Sequence, residues 1–228
     1  MYNIDSKTPT FHPILHICIQ ETIINKNRAE ILHEETLKLR KKVLGESHSD
    51  TLTSMSNLAS TYRQLGRLKE AEMLEKETLE LRKKVLGESH PDTLISISNL
   101  ALIYSELGQL EEAEMLEKKT FELSRKVLGE SHPDTLTFIS NLASTYRQLG
   151  RLEEAEILEK KTLKLRKKVL GESHPDTLIS MSNLASTYRQ LGRLEEAEML
   201  KKETIKLRKK VLEESHPDTL IYISNFEN

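Results

Sequence analysis

Apolar residues recur at three- and four-residue steps along most of the chain, in two kinds of run that alternate. In the run from Pro91, the residues Leu94, Ile97, Leu100, Ala101, Tyr104 and Leu107 share one face, the spacing of an amphipathic helix. In the next, Leu110, Ala113, Leu116, Thr120, Leu123 and Val127 predict a second inner face. The polar positions agree. Pro91 suits a first helical position, where its missing N–H is no loss. Asp92 places negative charge at the positive end of the first helix. The second helix opens with Glu111, Glu112 and Glu114 and closes with Arg125 and Lys126, so both ends suit its dipole. Gly108 is predicted to cap the first helix in left-handed conformation, and Gly129 ends the second. Two helices of about 16–18 residues, each about 25 Å long at 1.5 Å per residue, form an antiparallel hairpin.

The hairpin repeats. All eight glycines (45, 66, 87, 108, 129, 150, 171 and 192) fall 21 residues apart, a breaker at each helix end. Gly-Glu-Ser-His-x-Asp-Thr-Leu starts at Gly45, Gly87, Gly129 and Gly171, and a fifth copy begins at Glu213. Pro133–His174 and Pro175–His216 share 34 of 42 positions. A lone hairpin leaves apolar surface uncovered, so neighbouring copies must stack. The expectation is an all-α, right-handed solenoid. Its parts are a degenerate helix or cap (1–25), the second helix of a leading repeat (26–48), full repeats (49–90, 91–132, 133–174, 175–216) and a truncated first helix (217–228). In the leading segment Phe11, Ile14, Leu15 and Cys18 keep a helical stripe, which predicts a capping helix over about residues 9–24.

Asn57-Leu58-Ala59-x-x-Tyr62, Gly66-Arg67-x-x-Glu70-Ala71-Glu72-x-Leu74 and Lys84-Val85-Leu86-Gly87 through His90-Pro91-Asp92 recur at +42. This pattern resembles the tetratricopeptide repeat, in the 42-residue variety of kinesin light chains that also occurs in C-terminal arrays of NLR-like proteins. One departure is Thr78, Thr120, Thr162 and Thr204, where the general pattern prefers alanine. No heptad segment for motor attachment and no phosphate-binding glycine loop is present. The resemblance therefore implies the repeat fold and peptide binding.

Charge and composition narrow the function further. Lys plus Arg (34) nearly balances Asp plus Glu (36), so there is no global pull toward nucleic acid or anionic membrane. The lone Cys18 excludes an internal disulfide and suits a reducing, cytoplasmic setting. Phe11–Ile24, the most apolar stretch, is interrupted by Pro13, His16, Gln20 and Glu21; a membrane span needs about 20 apolar residues. Ser89-His90-x-Asp92 carries the letters of a hydrolase triad, but a triad converges in space rather than in sequence. The histidines at 48, 90, 132, 174 and 216 lie one repeat apart. Stacked hairpins advance by roughly 10 Å, so these rings cannot share a metal ion, and packing or solvent contact is expected for them. No catalytic residue, metal or cofactor is assigned. The basic triplets at 40–42, 82–84, 166–168 and 208–210 are read as favourable charge at helix C-termini, with no nucleic-acid partner expected.

What the resemblance implies is a concave groove lined by the first helices. Superposing its pattern selects Asn57, Ser60, Arg63 and Gln64, then Asn99 and Leu102, then Asn141, Ser144 and Arg147, then Asn183, Ser186 and Arg189. Thr53, Ser56, Ser98, Ser105, Glu106, Ser140, Gln148, Ser182 and Gln190 lie on the same faces. Carboxamides can bond an extended backbone without reading its side chains, and arginines can hold carboxylates or phosphates. The expected function is a non-enzymatic scaffold for a protein or peptide partner, with an acidic or phosphorylated segment favoured and no small-molecule substrate. The alternatives are end-to-end self-association or a sensor fragment of a larger NLR-like protein.

Overall fold

A computed structural model describes the backbone of residues 13–211 and the side chains of residues 28–210. Among the described residues there are nine α-helices and no strand. They fall into two compact units, divided between Val85 and Leu86. The first holds α1 (Pro13–Leu44), α2 (Ser49–Gln64) and α3 (Leu68–Leu86), the last of which ends at the division. The second holds the hairpins α4/α5 (Pro91–Glu106, Leu110–Val127), α6/α7 (Pro133–Gln148, Leu152–Leu170) and α8/α9 (Pro175–Gln190, Leu194–Val211).

Each of α2, α4, α6 and α8 is opened by histidine. The backbone N–H of Asp50, Asp92, Asp134 and Asp176 donates to Nδ1 of His48, His90, His132 and His174 at 3.1–3.2 Å. The described histidines of the ladder thus take the role that Asp, Ser or Asn usually fills, in place of the packing or solvent role expected for them. Pro91, Pro133 and Pro175 follow at the first helical position. The same helices end in a left-handed glycine. At Gly108 (φ 78°) the N–H of Gly108 donates to Ser105 O at 3.1 Å, and that of Gln109 to Tyr104 O at 2.9 Å. These paired bonds satisfy carbonyls the helix would leave orphaned. The second helices stop differently: Gly171 at φ 92°, ψ 164° occupies a region open essentially to glycine alone.

Alanines set how closely the helices pack. Ala101, Ala113, Ala143, Ala155 and Ala185 are fully buried in the second unit. Leu163 on α7 joins Leu178, Met181, Leu184 and Tyr188 on α8 and Ala197 on α9 in one cluster, so α7 closes against the following hairpin. In the first unit Leu37 on α1 packs with Leu52, Met55 and Leu58 on α2, flanked by Leu74 and Leu81 on α3. Thr78, Thr120, Thr162 and Thr204 are buried, and each hydroxyl donates to the carbonyl four residues back at 2.7–2.8 Å. A hydroxyl thus fits where the general pattern prefers alanine.

Two further expectations need correction. The leading segment does not break near residue 25, for α1 runs without interruption from Pro13 to Leu44. Counting back 21 residues from Gly45 reaches Ile24, and without a glycine or proline there nothing ends the helix. Val127, expected on the inner face of α5, is 50% exposed; the buried line is Ala113, Glu117, Thr120 and Ser124. Residues 1–12 and the predicted terminal helix 217–228 lie outside the described residues.

Candidate functional site

The first helices α4, α6 and α8 lie side by side in the second unit, joined by polar contacts at the predicted positions. Asn141 Nδ2 donates to the buried Ser98 Oγ at 3.0 Å. Ser105 Oγ donates to Gln148 Oε1 at 3.0 Å. Arg147 reaches Asn183 O at 3.5 Å and Ser144 Oγ at 3.4 Å. Asn141, Ser144, Arg147 and Asn183 are therefore brought together. Asn99, Leu102 and Ser186 are half-buried on the same helices, and Arg189 is exposed. Among the described residues, neither Asn99 nor the Arg189 guanidinium has a hydrogen bond or ion pair within the chain. In the first unit α2 carries Asn57 and Gln64 exposed, with Ser60 and Arg63 half-buried. Ser56 turns inward instead, donating to Glu75 Oε1 at 3.0 Å.

Arg147 and Arg189 occupy the same place in successive repeats yet behave differently. Arg147 is half-buried because Glu159, twelve residues on, accepts from it at 3.3 Å. The residue twelve beyond Arg189 is Lys201. Like charges do not pair, and Arg189 stands out in solvent.

Glutamates in this position are not among the sequence-derived candidates, though Ala113, Glu117, Thr120 and Ser124 share an i, i+4, i+7, i+11 line. Glu75, Glu117 and Glu159 are all buried. Burial raises Glu159, while the Thr187 hydroxyl and the Arg147 charge draw it down. Glu117 is 1% exposed, and neither carboxyl oxygen has a hydrogen-bond partner. Burial pushes its carboxyl up to about 7. The Thr145 hydroxyl, near it but outside bonding geometry, opposes this, and the Glu114 charge adds to it.

After α2, α6 and α8, though not after α4, an arginine follows the capping glycine. Arg151 stacks on Tyr146, 4.2 Å from the ring centroid, and bonds Glu154 at 2.6 Å and Glu114 of the preceding repeat at 2.7 Å. Arg193 repeats this with Tyr188, Glu196 and Glu156. Arg67 does so with Tyr62, Glu70 and Glu30 in the first unit. Burial would push the Glu114 carboxyl up, but bonds from Lys118 and Arg151 outweigh it and hold Glu114 below the usual range.

The basic triplets do not all face solvent. Arg166 is buried and bonds Asp176 O at 3.0 Å and Ser180 Oγ at 2.8 Å on α8. Arg40 bonds Asp50 O and Ser54 Oγ in the same way. The neighbouring Lys41 and Lys167 pair with Glu77 and Glu203. Among the described residues no group of three or more His, Cys, Asp or Glu could hold a metal ion, and no helix is long and apolar enough to cross a membrane.

Tetratricopeptide-repeat family models match residues 24–50, 51–92, 76–126, 92–168 and 139–210. The chain belongs to the tetratricopeptide repeat family. Its fold is similar to the nearly identical TPR-like repeats of a candidate kinesin light chain from Podosopora anserina. A point variant of that protein is 30% identical, with 82% of this chain and 88% of that one covered and a TM-score of 0.67. The other form is 29% identical over 82% and 89%, with a TM-score of 0.65. BtubC (BKLC) from P. vanneervenii, 22% identical over 87% of this chain and 78% of its own, shares the fold at a TM-score of 0.69. A search of curated proteins finds no match. Tetratricopeptide-repeat proteins are in general scaffolds for protein interaction rather than catalysts, and the helix-pair architecture is theirs.

Proposed function

We propose that this tetratricopeptide-repeat chain is a non-enzymatic scaffold whose first-helix faces hold an extended segment of a partner protein, with an acidic or phosphorylated segment favoured. On this reading Asn57, Ser60, Arg63 and Gln64 serve one face. Asn99, Leu102, Asn141, Ser144, Arg147, Asn183, Ser186 and Arg189 serve the other. The observation that carries the acidic preference is Arg189, exposed and without a carboxylate at the position where Glu159 engages Arg147. Its fork is available to a carboxylate or phosphate of the partner. Arg147, bound within the chain, orders the face and contributes less to capture. Asn99 supplies an amide donor and acceptor for a peptide backbone.

An array of peptides with graded acidity, probed with the full chain at low and moderate salt, tests this. Acidic and phosphorylated peptides are expected to bind selectively, with affinity falling as salt rises. Arg189→Glu is expected to remove that selectivity and leave the helical signal unchanged. Equal binding of neutral and acidic peptides, or binding indifferent to Arg189→Glu, would overturn the acidic preference.

A further inference from the structure

Glu117 is the one described residue whose buried carboxyl lacks a hydrogen-bond partner at both oxygens. Packing alone would favour a Leu or Met here; an unpartnered buried carboxyl is costly. The same chain shows what such a carboxyl takes when satisfied. One repeat on, Arg147 from the first helix lays its guanidinium against Glu159 at 3.3 Å, steadied by Asn183 O. The position equivalent to Arg147 is Ser105, too short to reach, and its hydroxyl turns to Gln148 instead.

We propose that Glu117 and Ser105 frame a slot for a guanidinium group, the arginine side chain of a bound partner segment taking the place that Arg147 fills in the next repeat. The inference deepens the reading of α4, α6 and α8 as a peptide-holding face, and rests on it. It adds a second determinant, an arginine on the partner, to the acidic group that meets Arg189. In the free chain the slot is closed: the Glu117 oxygens are shut from solvent, and Gln148, exposed on α6, is tied to Ser105. On this proposal the exposed Ser105–Gln148 hydrogen bond gives way as the guest enters.

The exchange balances in charge. Near neutral pH a large share of the free carboxyl is protonated, and an arriving guanidinium displaces that proton to solvent, leaving an ion pair like that of Arg147 and Glu159. The surroundings do not compete for this role. Glu114 on α5 is negative and already tied to Lys118 and Arg151; Thr145 on α6 and Ser105 on α4 are uncharged.

The test uses the full chain with carbon-13-labelled glutamate, the Glu117 carboxyl signal being assigned by its loss in Glu117→Gln. Guanidinium chloride, far below denaturing concentration, is compared with sodium chloride at equal ionic strength. Guanidinium is expected to lower the Glu117 titration midpoint by about one pH unit and to leave that of Glu159, already paired with Arg147, in place. Ser105→Arg should lower the midpoint without any additive and abolish the response. A midpoint unmoved by guanidinium, or a response that persists in Ser105→Arg, overturns the slot. A second arm uses capped Ser/Gly-rich acidic peptides carrying one arginine or, in its place, norleucine. If only ionised Glu117 accepts the guest, the arginine peptide binds about tenfold tighter at about pH 8 than at about pH 6. Acidic peptides that bind without preferring arginine would overturn the slot and leave the face standing. A guanidinium response with no peptide binding would overturn the face and leave the slot standing.

Discussion

Repeats 91–132 and 133–174 fold to the same hairpin but differ in three arginines. Arg147, Arg151 and Arg166 of the later repeat are Ser105, Gln109 and Ser124 in the earlier one. Each arginine ties its repeat to a neighbour: Arg147 to Asn183 O, Arg151 to Glu114, Arg166 to Asp176 O and Ser180. Of their replacements only Ser105 keeps a tie to the next repeat, to Gln148. Ser124 Oγ donates to Phe121 O in its own helix at 2.9 Å, and Gln109 Oε1 is buried without a partner. Leu102 and Ile103 stand where the later repeat has Ser144 and Thr145, and Ile103 is 1% exposed. What the two repeats keep in common is the histidine cap, the glycine stops, the alanines and the leucine stripe. That framework makes the hairpin; the arginines decide how its glutamate is charged and how strongly neighbours are tied.

The largest consequence concerns pH. A folded-state Glu117 raised to about 7, against an unfolded value near 4.5, binds more protons folded than unfolded between those values. Stability therefore falls as pH rises from about 4.5 to 7 and is level above, with a total of about 3 kcal/mol at most. Glu117→Gln should flatten this slope, read as denaturation midpoints across that range or as amide exchange in α4 and α5. An unchanged slope in the variant would place the titrating group elsewhere.

Making the later repeat imitate the earlier one comes next. Arg147→Ser strands Glu159, which is 4% exposed, without its cation. Since Arg147 is itself partly exposed and Glu159 can protonate, the loss at neutral pH should be about 2 kcal/mol, below that of a fully buried pair. The Glu159 titration midpoint should rise, and adding Glu159→Gln should recover most of the loss. No recovery would mean that Arg147 acts through Asn183 rather than through the glutamate.

The hairpin bounds are legible in the sequence because they depend on residues with one local role: Pro91 starts α4, Gly108 caps it, and Gly129 follows α5. Extending the 42-residue period through Ile24 predicts a break in the leading segment, but the residue that would make it is missing. The role of histidine is hidden because its ring is an uncommon cap. Within the face, Arg147 and Arg189 look alike until Glu159 and Lys201 are set against them. That relation spans two helices, so a pattern read one helix at a time passes over it. Glu117 escapes notice for a related reason. Hydropathy draws the eye to Leu116 and Leu123, whereas the deepest line of α5 runs through small and polar residues, where helices meet most closely.

Two shared elements should cost less than the Arg147 pair, and similarly in either repeat. His132→Ala removes the acceptor for Asp134 N–H, at about 1 kcal/mol for a cap. Gly150→Ala forces a side chain onto φ 75°, with open space around the Cβ, so the cost is the conformational one of about 1 kcal/mol. His90→Ala and Gly108→Ala should match them if the framework, rather than the arginines, makes each hairpin. A marked difference between repeats in urea midpoints would show that the arginine ties share the load of the caps.

Arg151→Gln should have the smallest effect, because the earlier repeat already carries Gln109 at that position. The Arg151 side chain is 35% exposed, and ion pairs with Glu114 and Glu154 at such a site are weak and screened by salt. What remains is the stack on Tyr146, a close contact of guanidinium plane and ring face that salt weakens less than a solvent-separated pair. The drop in melting temperature should therefore be modest at low salt and smaller, though not zero, at high salt. Tyr146→Leu in the Arg151→Gln background should then add little beyond its own loss of packing. A drop as large as that of Arg147→Ser would contradict this ranking of the ties. It would make Arg151 as strong a tie between repeats as Arg147, and Gln109 the weak joint between its repeat and the one before.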